Sequence, residues 1–242
     1  MSALTSGTGR RADLAGPAFG CVLAFVAGYI DVVGFISLFG LFTAHVTGNF
    51  VMIGVNIAGQ STGLLAKLLA LPMFALTVAA ARLTEARIVR DKRSATALLL
   101  FAEAAALVLF IIVGLHASPL SDPAAPAAVG AGMIAVAAMG IQNALSRTSL
   151  SDLGPTTIMT GNTTQIVIDL VDLPYASEVD SKAIRGRLKK MVPALVGFVL
   201  VLEVVVFVVV IVLERGADRS GRLVPGVSPE LHGRSSERCV LS

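Results

Sequence analysis

Among the ionisable side chains that interrupt the apolar stretches of this 242-residue chain, Asp31, His45 and Glu103 are candidates to bind a proton or a cation. Asp31 and Glu103 each lie inside a long apolar run, where an ionisable residue costs roughly 2.5–3.5 kcal/mol on membrane-insertion scales. His45 follows in the same stretch as Asp31, and imidazole titrates near physiological pH. Two roles remain open for Asp31, a titrating site in a solute path or an anchor for the polar motif of its own half. His45 either shares a proton with Asp31 or is solvated at the membrane surface.

The tripeptide Thr-Gly-Asn occurs twice in apolar surroundings. The copies are Thr47-Gly48-Asn49 and Thr160-Gly161-Asn162. Glycine adopts conformations that a helix interior forbids, and Thr and Asn side chains satisfy backbone groups that a broken helix frees. The motif therefore predicts two broken or re-entrant helices, with Gly48 and Gly161 at the breaks and both asparagines in a polar constriction near mid-membrane. The alternative is two ordinary helices, packed closely through glycine and joined by an asparagine hydrogen bond.

Other landmarks recur in the same order and indicate an internal repeat. The segment Gly28-Tyr29-Ile30-Asp31 is echoed by Gly140-Ile141-Gln142-Asn143, and a proline segment around Pro72 has a looser counterpart around Pro193. Several similar motifs that occur twice in the same order are typical of a duplicated sequence. We therefore predict related halves at residues 17–83 and 124–213, with Gln142 and Asn143 taking the positions that Ile30 and Asp31 hold in the first half.

The elements that must position these residues are membrane helices. Hydrophobic residues make up 55% of the chain and charged residues 14%, whereas soluble domains carry roughly 25% charge. We predict an all-α polytopic membrane protein with five to seven membrane segments, a polar cytoplasmic N-terminus at 1–16, one transmembrane domain at 17–213 and a polar, disordered tail at 214–242. The apolar segments are two within 17–58 and single ones at 63–81, 95–115, 124–145, 156–173 and 192–213, of which 95–115 links the halves.

The positions of the basic residues favour oppositely oriented halves. Clusters of five lie at 82–93, at 182–190 and in the tail, and Arg10 and Arg11 precede the first segment. If the two Thr-Gly-Asn segments enter and leave on one side, five crossings place 12 of these residues inside and 5 outside; seven full crossings give 10 and 7 at best. Because basic residues flanking spans concentrate in the cytoplasm, the sequence predicts an inverted repeat with a cytoplasmic N-terminus.

Four spaced motifs resemble the YoaK-like family of bacterial integral membrane proteins. They are Ala27-Gly28-Tyr29-Ile30-Asp31, His45-Val46-Thr47-Gly48-Asn49, Met139-Gly140-Ile141-Gln142-Asn143 and Thr156-Thr157-Ile158-Met159-Thr160-Gly161-Asn162. The resemblance covers residues 17 to about 200 and implies a multi-pass protein of the bacterial inner membrane without an assigned activity. Members of the family usually carry a further apolar helix, whereas this chain is polar from Glu214 onward.

The residues favour a small-solute or ion permease with proton coupling and a path between the halves. The alternative is a non-transporting scaffold or accessory subunit whose polar residues only hold helices together. An enzyme is not predicted, because no nucleophile-and-base set or metal-ligand spacing occurs; no cofactor, metal or nucleic-acid partner is expected, and a homo-oligomer remains open. The C-terminal Cys239-Val240-Leu241-Ser242 fits a prenylation pattern, which we attribute to chance.

Overall fold

The structure, a computed structural model, describes residues 6–88 and 92–220, with side chains described for 16–88, 95–201, 203 and 204. Within these ranges the chain is helical, with no strand. The α-helices are α1 (Ser6–Ser37), α2 (Gly48–Ile57), α3 (Leu64–Arg87), α4 (Lys92–Ala117), α5 (Pro126–Arg147), α6 (Met159–Asp172) and α7 (Glu178–Ser220). Two 3₁₀ helices, Ser151–Leu153 and Leu173–Tyr175, flank α6.

Four of these helices are long and apolar enough to cross a membrane among the residues described: Gly16–Ser37, Leu64–Arg87, Ala95–Ala117 and Pro126–Arg147. A hydrocarbon core of about 30 Å needs about 20 helical residues. The 10 residues of α2 rise only about 15 Å, and the 14 residues of α6 about 21 Å. The prediction of an all-α membrane protein is therefore confirmed, and α2 and α6 are each too short to span the core as α-helices.

The predicted segments match the helices with differences at their ends. The first helix begins at Ser6, within the predicted polar N-terminus, and α7 begins at Glu178, so that it includes the basic cluster at 182–190. The N-terminal extensions of α1 and α7 are polar. Each adds turns to a helix whose apolar part is already formed, and lengthening a formed helix is easier than starting a new one. The helix α7 runs on to Ser220, and the rest of the predicted tail, residues 221–242, lies outside the described residues.

Helix α5 lies at the centre of the described packing. It packs against α3 and α4, and its alanines at 128, 131, 135 and 138 are almost completely buried. At Gly140 an added Cβ would lie 3.1 Å from the side chain of Thr77, so glycine permits the close approach of α3. Small residues at helix contacts are typical of membrane bundles, where packing rather than the hydrophobic effect holds helices together.

Helix α4 shows the opposite character, with large apolar side chains on its surface. They include Phe101, Val108, Leu109, Ile111 and Ile112, all exposed. An apolar surface of this extent is not stable in water and marks a membrane-facing side. The structure thus separates a small-residue interior around α5 from a bulky lipid-facing side on α4.

Candidate functional site

The first helix break separates α1 from α2 and is non-helical from 38 to 47. Phe39 has φ 58° and Gly40 has φ 80°, a left-handed conformation that a non-glycine residue rarely adopts. The residues with positive φ thus precede the Thr-Gly-Asn motif. The prediction that Gly48 adopts a non-helical conformation is wrong, since Gly48 begins α2 without a positive φ. Its hydrogen side chain serves packing instead, because a Cβ there would lie 2.8 Å from the Phe42 ring.

The carboxylate of Asp31 holds this break in place from within α1. Its Oδ1 accepts backbone hydrogen bonds from Thr43 and Ala44, both at 2.7 Å, and a longer one from His45 at 3.3 Å. The Asp31 residue is only 5% exposed. Asp31 therefore anchors the polar segment of its own half, one of the two predicted roles.

The other Asp31 oxygen contacts the imidazole of His45. The distance from His45 Nδ1 to Asp31 Oδ2 is 2.7 Å, within the range of a charge-assisted hydrogen bond. The His45 side chain is 30% exposed, whereas that of Asp31 is 6% exposed. The ring also meets the edge of Phe198 on α7, with ring centroids 5.6 Å apart. The pair therefore combines a buried carboxylate with an imidazole that remains accessible from outside the protein.

Asn49 closes the same break from the side of α2. Its Oδ1 accepts a hydrogen bond from the Phe42 backbone N–H at 2.9 Å, and its Nδ2 donates to the Phe42 carbonyl at 2.8 Å. The asparagine is fully buried, and these bonds satisfy backbone groups that the helix break leaves unpaired. Thr47, its neighbour in the motif, is exposed. Of the motif, Asn49 thus holds the break, and Thr47 faces the surroundings.

The second break lies between α5 and α6 and repeats this arrangement. Asn162 Nδ2 donates to the Pro155 carbonyl at 2.8 Å, seven residues away as in the Asn49–Phe42 pair. Asn143, which the predicted repeat aligns with Asp31, donates to Thr157 Oγ1 at 2.7 Å. At the second break, too, one contact thus runs from the long helix and one from the short helix, here without a carboxylate.

The second break differs from the first in the place of its positive-φ glycine and in having a buried glutamine. Gly161 is helical, so the prediction for it is wrong, and the positive φ of 77° belongs to Gly154 instead. Gly161 and Thr160 are exposed. Gln142 is buried and donates from Nε2 to the Leu23 carbonyl at 2.8 Å and to Thr156 Oγ1 at 3.0 Å. Gln142 thus ties the second break to α1 of the first half.

A buried lysine, which the sequence analysis did not single out, clamps the first half. Lys67 on α3 is fully buried. Its Nζ donates to the Phe39 carbonyl at 2.8 Å, to Asn56 Oδ1 at 2.9 Å and to the Thr62 carbonyl. The ammonium thereby joins the break, α2 and the loop before α3. An isolated basic residue at the start of an apolar helix was the available signal, since such residues are rare inside a membrane unless paired.

An ion pair makes the corresponding connection in the second half. Arg187 on α7 donates to Asp169 on α6 through two nitrogens, at 2.6 Å and 3.1 Å, and Gln165 donates to the same carboxylate at 3.0 Å. These hydrogen bonds from Arg187 lower the pKa of Asp169 below its usual value. Asp169 occupies the position in α6 that Asn56 holds in α2. After each break, a basic side chain of the following long helix thus contacts the end of the short helix.

Glu103 lies apart from both breaks. It is 4% exposed on α4, and its Oε2 has no hydrogen-bond partner within the part of the chain that the structure describes. The structure therefore brings Asp31, His45 and Asn49 together at one break and Gln142, Asn143 and Asn162 at the other, and it shows no contact of Glu103 with either group. Among the described residues no group of three or more His, Cys, Asp or Glu could hold a metal ion.

The helix lengths, the lipid-facing surface and the buried polar breaks define a helical membrane protein. The chain belongs to the family described as "Protein of unknown function (DUF1275)", whose model matches residues 19–215 and which includes the YoaK-like membrane proteins. The predicted resemblance is thereby confirmed. No curated protein and no solved structure matches the chain.

Proposed function

We propose that the protein is a proton-coupled permease for a small solute or ion, built from two oppositely oriented halves. In this arrangement α1, α3, α4, α5 and α7 cross the bacterial inner membrane, and the N-terminus is cytoplasmic. The short helices α2 and α6 enter from opposite sides and do not cross. The basic clusters and the matched contacts of Asn49 and Asn162 support this proposal, and inverted repeats with broken helices are common in transporters.

The observation that carries the proposal is the Asp31–His45 pair. Its members lie 2.7 Å apart at a helix break, one buried and one partly accessible. Binding of an additional proton by the pair would neutralise the Asp31 charge, which is costly within the membrane. It would thereby change how strongly Asp31 holds Thr43 and Ala44. Protonation would thus be linked to the conformation of the break, which is the coupling that a proton-driven permease requires.

The remaining polar residues position this pair or contribute to the path. Asn49, Asn143 and Asn162 hold the breaks, as their contacts indicate. The exposed Thr47 and Thr160 are available to a solute that passes the short helices. Glu103 is a second candidate for a proton, since one of its buried oxygens has no partner among the described residues.

The test is solute-dependent proton movement in proteoliposomes that contain a pH-sensitive dye. Monovalent cations, ammonium, carboxylate anions and neutral amino acids serve as the solute panel. At least one class should move protons with the unmodified protein, and Asp31→Asn and His45→Gln should abolish that movement. Asp152→Asn is the matched control, because Asp152 is fully exposed on a 3₁₀ helix.

The proposal fails if no solute class moves protons with correctly folded protein, or if both variants move them as fast as the control. Two variants are needed because Asp31→Asn also weakens the break, whereas His45→Gln leaves the backbone hydrogen bonds to Asp31 intact. Correct folding is checked by a single symmetric peak in gel filtration.

One observation favours a second function, that of a membrane scaffold or accessory subunit. The Asn49 and Asn162 amides bond to backbone groups of their own breaks rather than to an open space. Polar residues in such positions are sufficient to specify helix packing without transport. Absence of flux together with a partner that co-purifies in stoichiometric amount in mild detergent would support this function.

A further inference from the structure

A cavity whose lining includes charged and hydroxyl side chains lies where three membrane spans end. It has a volume of about 440 Å³ and lies between the end of α3, the start of α4 and the end of α5. The described residues that line it are Arg82, Glu85, Ala95, Arg147, Thr148 and Ser149. Thr148 and Ser149 begin the segment between α5 and α6. None of the lining residues is among the side chains described above as holding the two breaks or in the Asp31–His45 pair, so the cavity is separate from the candidate transport site.

The carboxylate in this cavity, Glu85, already accepts hydrogen bonds from two neighbouring side chains. Glu85 accepts a hydrogen bond from Thr148 Oγ1 at 2.8 Å and a longer one from Arg82 Nη1 at 3.5 Å. The Glu85 side chain is 9% exposed, whereas the Arg82 side chain is 65% exposed. The Arg82–Glu85 contact is therefore long and open to water on the arginine side, which leaves most of the Arg82 donors available to another acceptor.

Arg147 is the second cation, and it is exposed at the end of α5. It makes no hydrogen bond or ion pair with the residues that the structure describes. Two guanidinium groups and one carboxylate leave the cavity with a net positive charge, and the exposed Ser149 adds a hydroxyl donor. An arginine at a helix C-terminus also favours the helix dipole, but the dipole alone does not require a cavity between three helix ends.

We propose that this cavity binds a phosphate group, as presented by the headgroup of an anionic phospholipid. Guanidinium groups bind phosphate oxygens through paired hydrogen bonds, which is why arginine is preferred at phosphate sites. The cavity lies at the ends of the spans, at the depth where lipid headgroups lie. Leu83, next to Arg82 on α3, and Leu98, three residues after Ala95 on α4, are exposed and could offer apolar contact to the acyl chains.

The test compares lipid binding by the purified protein in detergent, measured by native mass spectrometry with phosphatidylglycerol, phosphatidylcholine and inorganic phosphate as probes. Phosphatidylglycerol should bind more tightly than phosphatidylcholine. The double variant Arg82→Gln plus Arg147→Gln should weaken phosphatidylglycerol binding about tenfold or more, since charged hydrogen bonds are the strong ones. Arg185→Gln plus Lys189→Gln is the matched control, which removes two exposed charges from α7, outside the cavity.

Each outcome decides the proposal. Weakening confined to the cavity variant supports the site, and partial weakening in Arg82→Lys plus Arg147→Lys supports paired hydrogen bonding rather than charge alone. Inorganic phosphate that competes at millimolar concentration identifies free phosphate as a ligand of the same site. Equal weakening in the cavity and control variants, or none in the cavity variant, overturns the proposal. All of these lipid-binding outcomes are independent of proton movement, so this proposal and the proposed transport function can fail separately.

Discussion

Replacing Asp31 tests whether its carboxylate holds the first helix break. Asp31→Leu removes the acceptor for two backbone N–H groups, those of Thr43 and Ala44, each now bonded at 2.7 Å. Leaving a buried donor unsatisfied costs roughly 1–3 kcal/mol, so two such donors give about 4 kcal/mol. Asp31→Asn keeps a carbonyl acceptor but loses the charge, and a charged hydrogen bond exceeds a neutral one by about 1 kcal/mol, so we expect a loss of about 2 kcal/mol.

The assay is unfolding of the detergent-purified protein, followed by helical circular dichroism during titration with a denaturing detergent. The free energy of unfolding should fall in the order unmodified protein, Asp31→Asn, Asp31→Leu. The matched control is Asn143→Leu at the equivalent position, where one neutral side-chain hydrogen bond to Thr157 is lost and about 1 kcal/mol is expected. If Asp31→Leu destabilises the protein no more than Asn143→Leu does, the carboxylate does not organise the break and the reasoning is refuted.

Three further predictions follow from the contacts between helices. Lys67→Met should lower the free energy of unfolding by about 3 kcal/mol, because the variant keeps the aliphatic length but leaves two or three oxygen acceptors without their donor. Denaturant unfolding measures this loss. A loss below about 1 kcal/mol would show that the Lys67 hydrogen bonds do not hold the first break to α2 and α3. Gly197→Ala should separate α1 from α7 and lower the melting temperature, because its Cβ would collide with the Cys21 carbonyl oxygen. Gly161→Ala is the control and should have no such effect, because no atom lies close to the added Cβ. Arg187 lowers the pKa of Asp169, and both residues lie outside the four spans. The ion pair therefore stabilises the folded protein at a pH above the ordinary carboxyl pKa of 3.8. This stabilisation is lost as the pH falls through the lower pKa that Asp169 has in the folded protein. An unfolding series from pH 5 down to pH 3 should therefore show a smaller acid-dependent loss in Arg187→Gln than in the unmodified protein.

Much of the fold could be predicted from hydropathy. The two segments predicted within 17–58 are separated by the break that begins after Ser37. The segment predicted at 156–173 corresponds to the short helix α6. Membrane helices are predictable in this way because the bilayer requires both apolar length and internally satisfied backbone groups.

The candidate site could be predicted only in part. Asp31, His45 and Asn49 were selected by type, as polar residues in apolar runs, and the structure brings them to one break. Lys67 stands alone in the sequence, and the oxygen atoms that it contacts come from the first break, α2 and the loop before α3, so its role could not be predicted. The glycines were assigned by motif to the breaks, whereas the positive φ angles belong to Phe39, Gly40 and Gly154.

The sequence by itself determined that this protein resides in a membrane, where its helices lie and that polar motifs recur in both halves, because composition and periodicity act locally along the chain. Only the tertiary structure decided which polar groups meet. Asp31 and His45 are paired by the turn between 38 and 47, and Gln142 reaches the Leu23 carbonyl across the bundle. The physical reason is that a buried hydrogen bond depends on distances of about 3 Å between atoms, which hydropathy and residue spacing do not specify.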